Sequence, residues 1–314
     1  MTKRNLIIIH RGSDYEQDFD EIARKVNALD RDITIYHLPA HYPAELPAGS
    51  WQYPTLTVAL HSKFKLPIRR GPVLRNQVMG KLEQQNILRQ HGIPTPPAVL
   101  FRFGMKIDPI MFGEFVLLKP LDTSLQSKGK GVHVMRRARA EKIAPTDFPR
   151  GHPMHLSKAG YLLQKFVHTG EYATIYRVTT LLGRALFAAT YKSNTKSPPL
   201  TCSDQIIESA DFTQKHDRTI TFESSDDVLM LAGKVGAAFG SIPLLGIDIV
   251  RDGQTSKLYV LEVNPGGNTW HFSSAMWAEL RRQQPELVAE MKGQFGAFDI
   301  AAEALVEKTR LLAA

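Results

Sequence analysis

The chain has 314 residues, 43% of them hydrophobic, enough to bury a core shared among two or three lobes. No apolar run approaches the ~20 residues that cross a membrane, and Leu6–Ile9 is far too short for a signal peptide. A net charge of +8 favours an anionic partner (nucleotide, acidic metabolite or nucleic acid), and the single cysteine, Cys202, excludes an internal disulfide and fits a reducing cytoplasm.

In chain order, Leu6 to Ile9 is a strand and Asp14 to Leu29 an amphipathic helix, with Phe19, Ile22, Val26 and Leu29 spaced for one face. Strands at Ile33 to His37 and Thr55 to Leu60 follow, which predicts a small parallel sheet with helices on it. Pro39 to Pro54 reads as a loop in which Trp51 and Tyr53 are candidates for burial. A helix from Met79 stops at Gly92 and the prolines beyond it. Strands are predicted at Ala98 to Phe103, Phe115 to Lys119 and Val132 to Met135, with a polar loop at Ser124 to Gly131. Tyr161 to Val167, Ala173 to Leu182 and Ala185 to Tyr191 are β-like, and Asp226 to Phe239 is a helix. Gly246 to Val250 and Leu261 to Asn264 are strands, and Ser274 to Leu312 is mostly helical, interrupted near Pro285 and Gly293 to Gly296.

Several of these elements carry chemistry. Alternate residues of a strand share a face, so Glu262 and Asn264 project together with Cα atoms ~7 Å apart. With Asp248 on the preceding strand they make a set of hard oxygen ligands suited to Mg²⁺; a buried hairpin ending in an Asn-Pro-Gly-Gly turn is the plainer alternative. Lys119 closes the apolar strand Phe-Val-Leu-Leu-Lys-Pro and must find an anion or snorkel to water. Ser127-Lys-Gly-Lys-Gly131 can curl around a phosphate, or be a plain hairpin turn with solvated lysines. Gln164 to Val167 is a strand able to offer backbone groups to an adenine edge, with Glu171 beyond it for ribose hydroxyls, or simply a strand and its turn.

In this order, from the Lys81 helix and Gly-Ile-Pro-Thr-Pro-Pro through Lys119, the Gly/Lys loop, Gln164–Glu171 and Asp248 to Glu262-Val-Asn264, the chain resembles the ATP-grasp superfamily over about Val78 to Thr269. The resemblance implies an α/β fold of α+β lobes. A Rossmann-like pre-ATP-grasp lobe would occupy residues 1–77, a central lobe 78–165 and a C-terminal lobe 166–314. ATP would be held by Lys81, Lys119, Ser127, Lys130, Gln164, Lys165, Phe166, Val167 and Glu171. One or two Mg²⁺ ions, with Mn²⁺ as an alternative, would sit on Asp248, Glu262 and Asn264. It further implies a ligase that joins a carboxylate to an amine through an acyl phosphate, on small-molecule or peptide substrates.

On the acceptor side, Arg177, Lys192 and Asn268 are the candidates for the acyl phosphate or substrate carboxylate, and Trp270 and His271 follow the metal strand directly. Asn-Pro-Gly-Gly-Asn-Thr-Trp-His departs from the corresponding endings in D-alanine–D-alanine ligases and glutathione synthetases, so a direct transfer of either substrate does not follow from the resemblance. A kinase acting on an anionic acceptor and a nucleotide-responsive binding protein are the alternatives. Nucleic acid is disfavoured because the positive charge is scattered rather than striped, no membrane is expected, and a homodimer through the first lobe would suit the family.

Overall fold

Strands β1 (Arg4–His10), β2 (Ile33–Pro39), β3 (Thr55–Ala59) and β4 (Val73–Arg75) make a parallel sheet ordered β2-β1-β3-β4. Leu6, Ile7, Ile8 and Ile9 are all buried, as a strand covered on both faces requires. Helix α1 (Glu16–Leu29) covers one face with Phe19, Ile22 and Val26. Leu29, expected on that face, is 50% exposed, because the helix ends there and the chain turns away at Asp30. Trp51 and Tyr53 are half-buried. The computed structural model describes residues 2–12, 15–41, 45–121, 131–148, 150, 152, 160–199, 206–208, 217–222, 225–266 and 269–313.

Helix α2 (Lys81–Gln90) leads through Gly92, at φ +64°, to β5 (Ala98–Phe101). The short helices α3 (Pro109–Phe112) and α4 (Arg137–Ala140) flank β6 (Phe115–Pro120) and β7 (His133–Arg136), and β8 (Tyr161–Lys165) follows. A third sheet opens with β9 (Thr174–Leu181) and β10 (Arg184–Ser193). The chain then returns through β11 (Ile206–Glu208) to the edge of the second sheet, whose antiparallel order is β11-β7-β6-β8-β5. β12 (Arg218–Thr221), helix α5 (Asp226–Ala238), β13 (Leu244–Arg251) and β14 (Leu258–Pro265) complete the third sheet, ordered β12-β10-β9-β13-β14. Helices α6 (Ala278–Gln283), α7 (Pro285–Gly293) and α8 (Ala297–Leu312) close the chain, broken where Pro285 and Gly293 to Gly296 predict.

Two elements cross between the sheets. β11 comes from beyond residue 165 yet belongs to the second sheet. α2, expected to open the central lobe, packs on the third, because Leu88 and Ile93 are buried with Val228, Leu231 and Val263. One apolar core joins the first lobe to the third: Phe19, Ile22, Leu56 and Val58 share it with Leu186, Phe187, Trp270, Phe298 and Leu305. Among the described residues no helix is long and apolar enough to cross a membrane.

Candidate active site

The metal-ligand candidates are set by the pairing of β13 with β14. Asp248 lies directly opposite Glu262, and Gly246 opposite Asn264, so the three side chains share one face. A bulge between Asp248 and Ile249 leaves Leu261 as the extra residue and re-aims the strand at the cleft. Asp248 is half-buried within an otherwise buried stretch of β13. The open edge of β14 is covered by α2 and its connection: Val263 N–H donates to Gln84 Oε1 at 3.2 Å, and Val260 N–H to Pro94 O at 2.8 Å.

On β9, Arg177 faces Asp248. Its Nε and one terminal nitrogen donate to the two Asp248 oxygens at 2.7 and 2.6 Å, and Asn264 Nδ2 donates to Asp248 Oδ2 at 3.2 Å. The neighbouring carboxylate drives the Arg177 pKa upward. As it stands, Asp248 is therefore held by Arg177, and the Arg177 fork is occupied rather than free for substrate.

A narrow cavity between the second and third sheets is lined by Lys81, Gln84, Gln85, Lys119, Leu162, Leu261 and Glu262. Burial pushes Lys119 down to about 8, opposed by the attraction of Glu262 and reinforced by Lys81. Burial lowers Lys81 as well, again against Glu262. Neither lysine forms an ion pair among the described residues; both desolvated ammonium groups feel Glu262, and Lys119 feels Asp248 more weakly.

The pleat of β8 sorts the remaining nucleotide candidates. Gln164 pairs with Leu117 and Leu162 with Lys119, which puts Gln164 on the Lys119 face. Gln164 is 1% exposed and its Nε2 has no partner among the described residues. Lys165 pairs with Val116 and falls on the opposite face. Beyond it, Phe166 joins a small apolar cluster with Leu117, Val134, Ala173 and Ile207. Lys165 and Phe166 give their amide protons to Pro97 and Phe115, whereas Val167 has no backbone partner among the described residues. Glu171 is exposed and paired with Lys196 at 2.5 Å. Ser127, Lys130 and Asn268 lie outside the described residues.

The acceptor candidates are not gathered together. Arg177 pairs with Ala189 while Lys192 pairs with Thr174, so the alternation puts Lys192 on the other face of the sheet, with its Nζ 5.6 Å from the Tyr172 ring centre. Trp270 is fully buried between lobes. Its Nε1–H donates to Asp18 Oδ2 at 2.8 Å, and its ring stacks on Phe19. His271 is buried and stacked on Trp277, and burial, with help from Arg177 and Arg218, drives it down to about 3. The sequence reading missed Gln84 and Gln85, although their spacing from Lys81 puts all three on one helical face. It also missed Arg218 and Tyr191, which no local pattern marks.

No protein-family model matches the chain, and no curated protein matches it. Solved structures do. D-cycloserine synthetase DcsG is similar at a TM-score of 0.50 and 15% identity, covering 97% of this chain and 99% of that one. The ATP-grasp ligase PsnB, solved with a minimal precursor, gives 0.50 and 14% over 98% and 100%. Macrocyclase MdnC from Microcystis aeruginosa MRC, bound with precursor peptide MdnA, gives 0.50 and 12% over 96% and 99%. With three sheets so ordered and a lysine cleft between the last two, the chain has the ATP-grasp fold.

Proposed function

We propose that the protein is an ATP-dependent ligase joining a carboxylate to an amine, with Mg²⁺ held by Asp248, Glu262 and Asn264. The observation that carries this reading is the pair Lys81 and Lys119, desolvated beside one cleft and ion-paired to no carboxylate among the described residues. Such a site is short of negative charge, and a polyphosphate supplies it. The apolar cluster of Leu117, Val134, Phe166 and Ile207 suits a flat base on the same face of the sheet. Val167 offers its free backbone groups to the base edge, and the unpartnered Gln164 amide has a ligand atom to meet.

The donor set fits a hard divalent ion: two carboxylates and an amide oxygen on one face, with Asp248 half-buried. Asp248, Glu262 and Asn264 would hold Mg²⁺, which would supply charge neutralisation for the transferring phosphoryl group. Arg177 fixes the direction of Asp248 through its fork. Lys119 and Lys81 stabilise the phosphoryl group in flight. The substrate carboxylate attacks the γ-phosphorus, and the bond to ADP breaks, leaving an acyl phosphate. The amine then adds to the acyl carbon and loses a proton to water, while phosphate departs with the carbon–oxygen electron pair. No protein nucleophile is needed.

The likeness to enzymes solved with precursor peptides supports a peptide as well as a small-molecule donor. A second reading, phosphoryl transfer to an anionic acceptor, is favoured by the excess of cations around Asp248, where Arg177 and Arg218 both act on His271. The test is incubation with Mg·ATP and pooled amino acids, dipeptides and organic acids, quantifying ADP and free phosphate. Equal amounts of both, dependent on a pool, support the ligase. ADP without phosphate supports the kinase, and neither product removes both.

A further inference from the structure

Arg218 begins β12 and reaches back over Tyr191, with its guanidinium carbon 4.3 Å from the ring centre. Among the described residues it makes no ion pair and no hydrogen bond. It is half-buried, and burial lowers its pKa, with the repulsion of Arg177 adding to the effect and Tyr191 and Asp248 opposing it. A cation–π contact returns only ~0.5–2 kcal/mol, less than a desolvated guanidinium gains from a carboxylate. Nearby, Arg177 is already compensated by Asp248. The charge left over in this corner is that of Arg218.

His271 lies 5.7 Å, ring centre to ring centre, from Phe187, which shares a face of β10 with Tyr191. It is 1% exposed, and its Nδ1 has no partner among the described residues. Burial, with both arginines adding to it, favours the neutral ring, so it can meet a ligand by hydrogen bonding without adding charge. A half-buried cation with a free fork and a buried unpartnered imidazole nitrogen, beside the Asp248 face, make a subsite for a planar anion.

We propose that Arg218, braced on Tyr191, anchors a second, non-reacting carboxylate of the substrate, so that the donor is a dicarboxylate or an acidic side chain flanked by another free carboxylate. This deepens the ligase reading and rests on it. Arg218 is a specificity-determining residue: it does not touch the reacting atoms, and it selects which acid can present a carboxyl group to the cleft. The planar guanidinium is required because its two parallel N–H groups match the carboxylate oxygens, which a lysine cannot reproduce.

The experiment measures affinity by calorimetry for matched probes, succinate against succinamate and N-acetylglutamate against N-acetylglutamine, with and without Mg·AMPPNP. The parent protein is expected to bind the dianion about tenfold or more tightly than its monoanionic partner. Arg218→Gln is expected to abolish that preference while leaving AMPPNP affinity unchanged. Arg218→Lys keeps the cation over Tyr191, controls for the fold, and is expected to recover only part of the preference. Equal affinity for the paired probes, absence of dicarboxylate binding, or a preference that survives in Arg218→Gln overturns the proposal. Weakened AMPPNP binding in Arg218→Gln with the preference intact also overturns it, since the anion held would be the nucleotide's. A parent that binds dicarboxylates but no nucleotide would instead sink the ligase reading.

Discussion

Lys119 holds its charge at a cost that a ligand can remove, and this makes the cleft sensitive to pH. Its ordinary pKa of 10.5 falls to about 8 on folding. Between those values the unfolded chain keeps a proton that the folded chain has released, so stability rises with pH across that window; below it both states are protonated and this contribution is flat. A polyphosphate bound beside Lys119, as proposed above, would restore the charged form. Nucleotide binding at about pH 8.5 is therefore expected to take up a proton, and affinity to fall as pH rises past 8. Calorimetry in buffers of different ionisation heat reads the uptake directly. Lys119→Ala is expected to diminish it and weaken binding by roughly 10- to 100-fold, from the ~1.5–3 kcal/mol of a hydrogen bond to a charged group. Unchanged affinity would make this lysine structural. Glu262→Ala is expected to abolish Mg²⁺-dependent turnover with the far-ultraviolet spectrum retained, and turnover at the parent rate would remove the metal assignment.

At the scale of elements, the decisive contact is a side chain packed tightly against a strand backbone. A Cβ on Gly246 would meet Thr269 Cγ2 at 2.8 Å. Thr269 in turn donates its hydroxyl to Asn264 O at 3.1 Å. Gly246→Ala is thus expected to push Thr269 out of place, costing ~1–3 kcal/mol in urea unfolding and lowering turnover through Asn264. Gly233→Ala in the middle of α5 is the contrast. Its added methyl meets nothing within 4 Å, and it is expected to stabilise by ~0.5–1 kcal/mol through helix propensity. A Gly246→Ala protein with parent stability and turnover would show that Thr269 gives way freely. Much of this was legible in the sequence. Period-two alternation put Glu262 and Asn264 on one face, and the stops at Gly92 and Pro285 were read correctly. The Arg177–Asp248 fork was not legible, since it depends on β9 lying beside β13 across 71 residues. The face on which Lys192 falls was hidden by the same cross-strand register. β4, β11 and β12, of three or four residues each, are too short to display a period.

For the whole molecule, the core that runs from α1 through Trp270 to α8 makes the first and third lobes one cooperative unit. Trp270 is its keystone, stacked between Phe19 and Phe298 and bonded to Asp18. Trp270→Ala is expected to lose ~3–5 kcal/mol and to shift the unfolding of both lobes together, seen as one transition by tryptophan fluorescence and circular dichroism. Two separated transitions would mean the lobes fold independently. The excursion of β11 sets a different limit. The chain passes from the second sheet to the third, back, and over again, so the cleft is sewn shut along its spine rather than joined by a single thread. A gene cut after residue 165 would yield a central piece missing its border strand. The bare flank of β7 would invite another copy to fill it, and the two halves made apart would pair with themselves before they found each other.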